Sequence, residues 1–222
     1  IFPLPLSYRE RLAAIPGVKS VSYANWFGGR DPVDPGNFYA QFGCDAETYM
    51  PIYDADVEII AADSSQVPLP VPPGVNPKLA VFMSERDACI VGESLFKRMK
   101  WKLGQKVPVS GTIFPGTWTF TIRAVYHAKD PAFGEETMLF HWKYLSERGM
   151  GGQGIVGFYI LQLADPSRAG EVTTAVDALY TNSGAATHTE TERAFQAGFV
   201  SMYGNVPFLI GVIGIAVVFA IL

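Results

Sequence analysis

Hydrophobic positions recur along the chain with two periods. A period of two marks strands. Over residues 18–23, Val21 and Tyr23 alternate with Ser20 and Ser22. Residues 38–44 and 158–163 repeat the pattern, and 88–91 and 107–109 are shorter apolar runs. The longest such stretch, 117–126, sets Trp118, Phe120, Ile122 and Ala124 against Thr119, Thr121, Arg123 and Val125. Before it, Pro115 and Gly116 suit the central positions of a type II turn joining it to 107–109.

Helical spacing follows start signals. Ser7 and Glu10 form a capping-box pair ahead of Leu12, Ala13 and Ile15, and Pro16-Gly17 stops that helix. Asp45 caps a short helix through Tyr49 and Met50, and residues 94–100 form a helix with a basic last turn before the turn at Gly104. Asp165-Pro166 is an N-cap followed by proline at the first helical position. The helix it opens runs to about Tyr180, with Val172, Ala175, Val176 and Leu179 on one face. A second capping box, Thr189 with Glu192, opens a helix carrying Phe195, Phe199 and Met202. Residues 28–37 and the glycine-rich 149–157 are loops, the latter a hinge. Five prolines between 64 and 77 exclude a central strand or a helix there and mark an exposed insertion, partly polyproline-like. Strands and helices in this mixture define an α+β class.

The pattern ends abruptly at Val206. Residues 206–222, VPFLIGVIGIAVVFAIL, hold no charged residue. As a helix they span about 25 Å, against a bilayer core of about 30 Å. A soluble helix apolar on every face needs a core all around it. Gly211 and Gly214 suit a membrane helix, and Tyr203 and Phe208 fall where interfacial aromatics lie. The expectation is a water-soluble domain over 1–204 that runs into the start of a transmembrane helix at 205–222, in contact with a lipid bilayer. Both ends read as cuts in a longer protein.

Composition narrows the chemistry. Of 222 residues, 49% are hydrophobic, enough for a packed core, and the net charge is −4. No basic stripe interrupts this, so nucleic acid is not an expected partner. Cys44 and Cys89 belong to no CxxC pair, which removes structural zinc. A disulfide between them stays open for a domain outside the cytoplasm, since sequence does not set the geometry. His127, His141 and His188 lie in no HExxH motif. Ser94, in VGESL, sits in no nucleophile elbow, and the 149–157 run lacks the GK[ST] of a phosphate loop. Glu135-Glu136 and Asp54 with Asp56 read as solvated faces. No catalytic, cofactor-binding or metal-binding residue is therefore assigned, and no enzymatic activity is expected.

Several phrases in order resemble one family. Residues 12–21 (LAAIPGVKSV), 89–98 (CIVGESLFKR) followed by 103–109 (LGQKVPV), 120–126 (FTIRAVY) and Asp165-Pro166 resemble the periplasmic core domain of MacB-type, FtsX-like ABC transporter permeases. The resemblance covers nearly the whole chain. It implies a two-lobed domain, with one mixed α/β lobe of about 1–50 plus 155–204 and a strand-rich lobe of about 51–154. It also implies a place between the first and second membrane helices of a permease in the cytoplasmic (inner) membrane, with residues 1–204 on the extracytoplasmic side. The partners implied are an ABC ATPase subunit and a second permease copy or paralogue in a dimer. Mechanotransmission would then couple ATP hydrolysis to export or extraction of a substrate, through the helix leading from Thr189 to the membrane. The proline-rich stretch at 64–77 departs from the family's compact pattern. Two other functions stay open: a sensor ectodomain binding a ligand in a pocket of Trp118, Phe140 and Trp142, and a membrane-tethered scaffold that activates a cell-wall hydrolase.

Overall fold

A computed structural model describes residues 3–63, 71, 76–130, 133–148 and 154–195. The apolar segment 206–222, the helix beyond 195, most of the proline-rich stretch and residues 149–153 lie outside the described residues. Among the described residues no helix is long and apolar enough to cross a membrane. The chain divides into two compact units, Ile1–Ala164 and Asp165–Leu222.

In the first unit the described strands are β1 (Leu4–Pro5), β2 (Val18–Trp26), β3 (Gly29–Arg30), β4 (Ala40–Cys44), β5 (Val57–Ala62), β6 (Ala88–Gly92), β7 (Lys106–Gly111), β8 (Gly116–Ala128), β9 (Thr137–His141), β10 (Ile155–Val156) and β11 (Phe158–Leu163). The helices are α1 (Tyr8–Ala13), α2 (Tyr49–Ile52), α3 (Ala80–Ser84), α4 (Glu93–Arg98) and α5 (Trp142–Arg148). Nine strands form one mixed sheet in the order β11-β2-β4-β9-β6-β8-β7-β3, with β5 pairing to β8 off that path. β4–β9 and β6–β8 are parallel, and the other neighbours are antiparallel. β4 pairs along its whole length with β9, so the sheet runs unbroken between residues of the two expected lobes.

Helices cover both faces. On one, Tyr49 and Tyr53 at α2 and Phe82 of α3 pack with Ile59, Ile90, Ala124, Tyr126 and Leu139. On the other, Leu95 of α4 and Leu145 of α5 pack with Phe27, Cys89, Trp118, Phe120, Ile122, Val125 and Phe140. Removing each such side chain from water contributes about 1.5–3 kcal/mol.

β8 does not alternate as its sequence suggests. Trp118, Phe120 and Ile122 face the α4–α5 core, but Ala124 and Tyr126 face the α2–α3 core. The ladder to β6 explains this: Cys89 pairs with Ile122 and Ile90 with Ala124, so Arg123 is an extra residue. A one-residue bulge transfers every later side chain to the opposite face. At the same point β8 exchanges neighbours. β7 pairs with residues 116–121 and β5 with 124–128, both on the edge opposite β6. The Arg123 carbonyl accepts the Asp63 N–H at 2.8 Å. Its guanidinium binds Glu85 with two bonds, of 2.6 and 2.9 Å, and reaches Asp63 as well.

Local expectations fare unevenly. α1 forms, but Ser7 is itself helical (φ −63°, ψ −12°) and its side chain caps nothing, because capping needs an extended backbone there. The expected turn centred on Pro115-Gly116 lies one step earlier: Gly116 pairs with Gly111 as the first residue of β8, residues 112–115 make the loop, and the φ of +115° at Gly116 is open to glycine. The expected loop 28–37 contains β3, and the glycine-rich link contains β10, paired with β1.

In the second unit, Asp165 accepts the Ser167 N–H at 2.9 Å, Pro166 opens a 3-10 turn, and α6 (Ala169–Tyr180) follows. The buried positions of α6 are Val172, Val176 and Tyr180, one turn apart, while Ala175 and Leu179 are exposed. The expected face is thus rotated toward Tyr180. Asp177 accepts hydrogen bonds from the Thr187 hydroxyl and from both the N–H and hydroxyl of Thr189. Because Thr189 is committed there, Thr191 caps the helical residues 192–195, accepting the Ala194 N–H at 3.2 Å.

Replacing Arg123 by Met leaves two half-buried carboxylates without their cation. Breaking a buried pair costs about 3–5 kcal/mol, and the partial exposure of Glu85 places this case near the lower figure. Urea unfolding of R123M should lose about 3 kcal/mol, with part recovered in R123M/D63N/E85Q; a loss below about 1 kcal/mol contradicts the clamp.

Candidate functional site

The cysteines lie in opposite cores, Cys44 with the α2–α3 side and Cys89 with the α4–α5 side. Their strands are separated by β9, so about two strand spacings, or ~9.6 Å, stand between them. A disulfide needs Cα atoms within about 7 Å, and both thiols are free. Burial pushes both well above the usual thiol range, which leaves them unreactive.

The aromatic residues that a ligand pocket would use are consumed by packing. Trp118 and Phe140 lie edge-on to Phe27 in the core. Trp142 is buried against Tyr23 and donates its indole N–H to Asn25 at 2.9 Å. The cavity beside it, lined by Tyr23, Asp45, His141 and Trp142 among others, measures about 30 Å³. That holds about one water, whereas ligand pockets run to about 300–1,000 Å³.

His141 is buried, lies tilted against the Phe82 ring and bonds through Nε2 to the Phe82 carbonyl. His188 is exposed. His127 is different: it enters a polar cluster built where three segments converge. Glu93 begins α4, His127 is near the end of β8, and Glu135 precedes β9. Gly92 brings them together, since a Cβ there would lie 2.1 Å from the Glu135 carbonyl oxygen. That carbonyl accepts the Leu95 N–H at 3.1 Å. The Glu135 carboxylate accepts the Ser94 hydroxyl at 2.6 Å and the Ala128 N–H at 2.9 Å. His127 Nδ1 lies 2.8 Å from Glu135 Oε1 and 3.4 Å from Glu93 Oε2. Lys97 Nζ lies 2.6 Å from Glu93 Oε1. Burial opposes ionisation of Glu135, but the bonds from Ser94, Ala128 and His127 outweigh it and hold the carboxyl below the usual range.

The expected solvated pair Glu135-Glu136 therefore splits. Glu135 is held by three donors, and Glu136 takes two bonds from Arg98, at 2.6 and 2.9 Å. Asp54 is exposed, as a solvated carboxylate should be. Sequence order carried no sign of the cluster, because the bulge at Arg123 decides which way His127 points. Among the described residues, Glu93, His127 and Glu135 can each offer a ligand atom, all within 4.8 Å of one another.

No protein-family model matches the chain, and no curated protein does. Solved structures do. The extracellular domain of the noncanonic ABC-type transporter YknZ from Gram-positive bacteria matches with a TM-score of 0.55 at 14% identity, over 84% of this chain and 87% of that one. The periplasmic region of MacB from Actinobacillus actinomycetemcomitans matches with a TM-score of 0.50 at 10% identity, over 82% of this chain and 76% of that one. The chain has the fold of a MacB-like extracytoplasmic domain, a mixed sheet with helices on both faces.

Burial holds His141 neutral, and Arg86 and Lys143 add to that against the opposing bond to Phe82. The unfolded chain thus binds more protons below a histidine's ordinary pKa of about 6.5, and stability falls as pH drops through that value. The melting temperature should fall between pH 7.5 and 5.5, and H141Q should flatten that dependence. An unchanged slope in H141Q contradicts the assignment.

Proposed function

We propose that residues 1 to about 204 form the extracytoplasmic domain of an ABC transporter permease subunit in the cytoplasmic membrane, and that 205–222 begin a transmembrane helix. The observation that carries this is the fold shared with the YknZ extracellular domain over 84% of this chain. The uncharged run from Val206 supports the membrane attachment. In this reading an ABC ATPase subunit hydrolyses ATP on the cytoplasmic side and a second permease copy or paralogue completes a dimer. The domain performs no chemistry on the substrate. It moves, and the motion drives export or extraction.

The architecture suits that work. A sheet buried on both faces and cross-tied by Arg123 deforms little, so displacement at one end reaches the other. Because one sheet runs through residues of both lobes, about 1–50 plus 155–204 and 51–154, the motion is passed along the sheet rather than opened between them.

Orientation is the first thing to measure. Val33 is 88% exposed, while Cys44 and Cys89 are fully buried, so V33C gives a readout without background. In intact cells V33C should react with a membrane-impermeant maleimide and the parent chain should not. Labelling of V33C only after lysis places the domain in the cytoplasm and ends the proposal.

A further inference from the structure

We propose that Glu93, His127 and Glu135 form a binding site for a divalent transition-metal ion of the zinc class. The donor set is one imidazole nitrogen and two carboxylate oxygens. Magnesium and calcium prefer all-oxygen sites, and imidazole favours zinc and its neighbours. Zinc holds such ligands at about 2.0–2.2 Å, which spaces tetrahedral ligand atoms about 3.4 Å apart. The present spacings from His127 Nδ1 are 2.8 Å to Glu135 and 3.4 Å to Glu93. An ion therefore fits between the ring nitrogen and the two carboxylates after outward shifts of about half an ångström.

The surroundings are built to hold these ligands still. Ser94 and the Ala128 N–H orient Glu135, and Lys97 orients Glu93, the outer-shell partners that metal ligands use. The backbone is pinned by the Leu95 N–H on the Glu135 carbonyl and by the Tyr126 hydroxyl on the Gly134 carbonyl at 2.8 Å. Two carboxylates face one ring nitrogen with one lysine beside them, so a divalent ion relieves their repulsion. A metal on Nδ1 requires the ring proton on Nε2, and the His127 side chain is 47% exposed. Three protein ligands leave a fourth position to solvent. This inference does not depend on the transporter reading.

The test is calorimetric titration of Zn²⁺ into the full 222-residue chain, in detergent and without a histidine tag, with Mg²⁺ and Ca²⁺ in parallel. One zinc ion should bind per chain, more tightly than either other cation. H127A and E93Q should each weaken zinc at least tenfold while keeping the parent's circular dichroism and melting temperature without metal. Zinc bound equally by H127A, or no binding up to 1 mM, overturns the site; so does calcium bound as tightly as zinc, which would make it a carboxylate patch.

Discussion

The fold turns on one extra residue in β8. Arg123 interrupts the ladder to β6, and the side chains after it change faces. Before the bulge, even-numbered residues face the α4–α5 core; after it, odd-numbered residues do. Tyr126 consequently reaches the α2–α3 core and Val125 the other, so β8 is buried on both sides. His127 follows the same parity. Without the bulge it would point away from α4, and Glu93 would have no imidazole beside it. The guanidinium holds the irregularity in place by binding Glu85, just before β6, and Asp63, just after β5. A single cation thereby joins the segments that the bulge brings together.

That seam gives the sheet its mechanical character. β7 and β5 follow one another along one edge of β8, and the parallel strand β6 runs along the other. Through β9 and β4 the ladder continues to β2 and β11. The cavity beside Trp142, by contrast, has room for about one water. In the second unit, Asp177 plays a local version of the same part, gathering Thr187 and Thr189 onto α6. Burial would raise its carboxyl, but those bonds hold it below the ordinary range.

Much of the fold was legible because it rests on local rules. Strands β2, β4 and β11 and the Asp165-Pro166 start follow from alternation and capping. What escaped depends on long-range pairing. β3 is two residues long and exists because Gly111 and Ser110 of β7 lie opposite it. The bulge is invisible to alternation, since Thr121, Arg123 and Val125 look like an ordinary polar-leaning face. On α6, Leu179 looked like core and Tyr180 did not, yet a tyrosine one turn after Val176 takes the buried place. Glu135 looked solvated because its three donors come from α4 and β8. The ordered phrases resembling MacB-type domains were informative as a set, while any one of them is a core pattern that many proteins share.

The bulge at Arg123 joins β8 into one cooperative body rather than separating two. Native-state hydrogen exchange across β8 checks this. Amides in 116–122 and in 124–128 should open with the same free energy, together with those of β4 and β9. A lower opening energy for 124–128 and β5 alone, with 116–122 still protected, would show that Arg123 marks a boundary between two bodies.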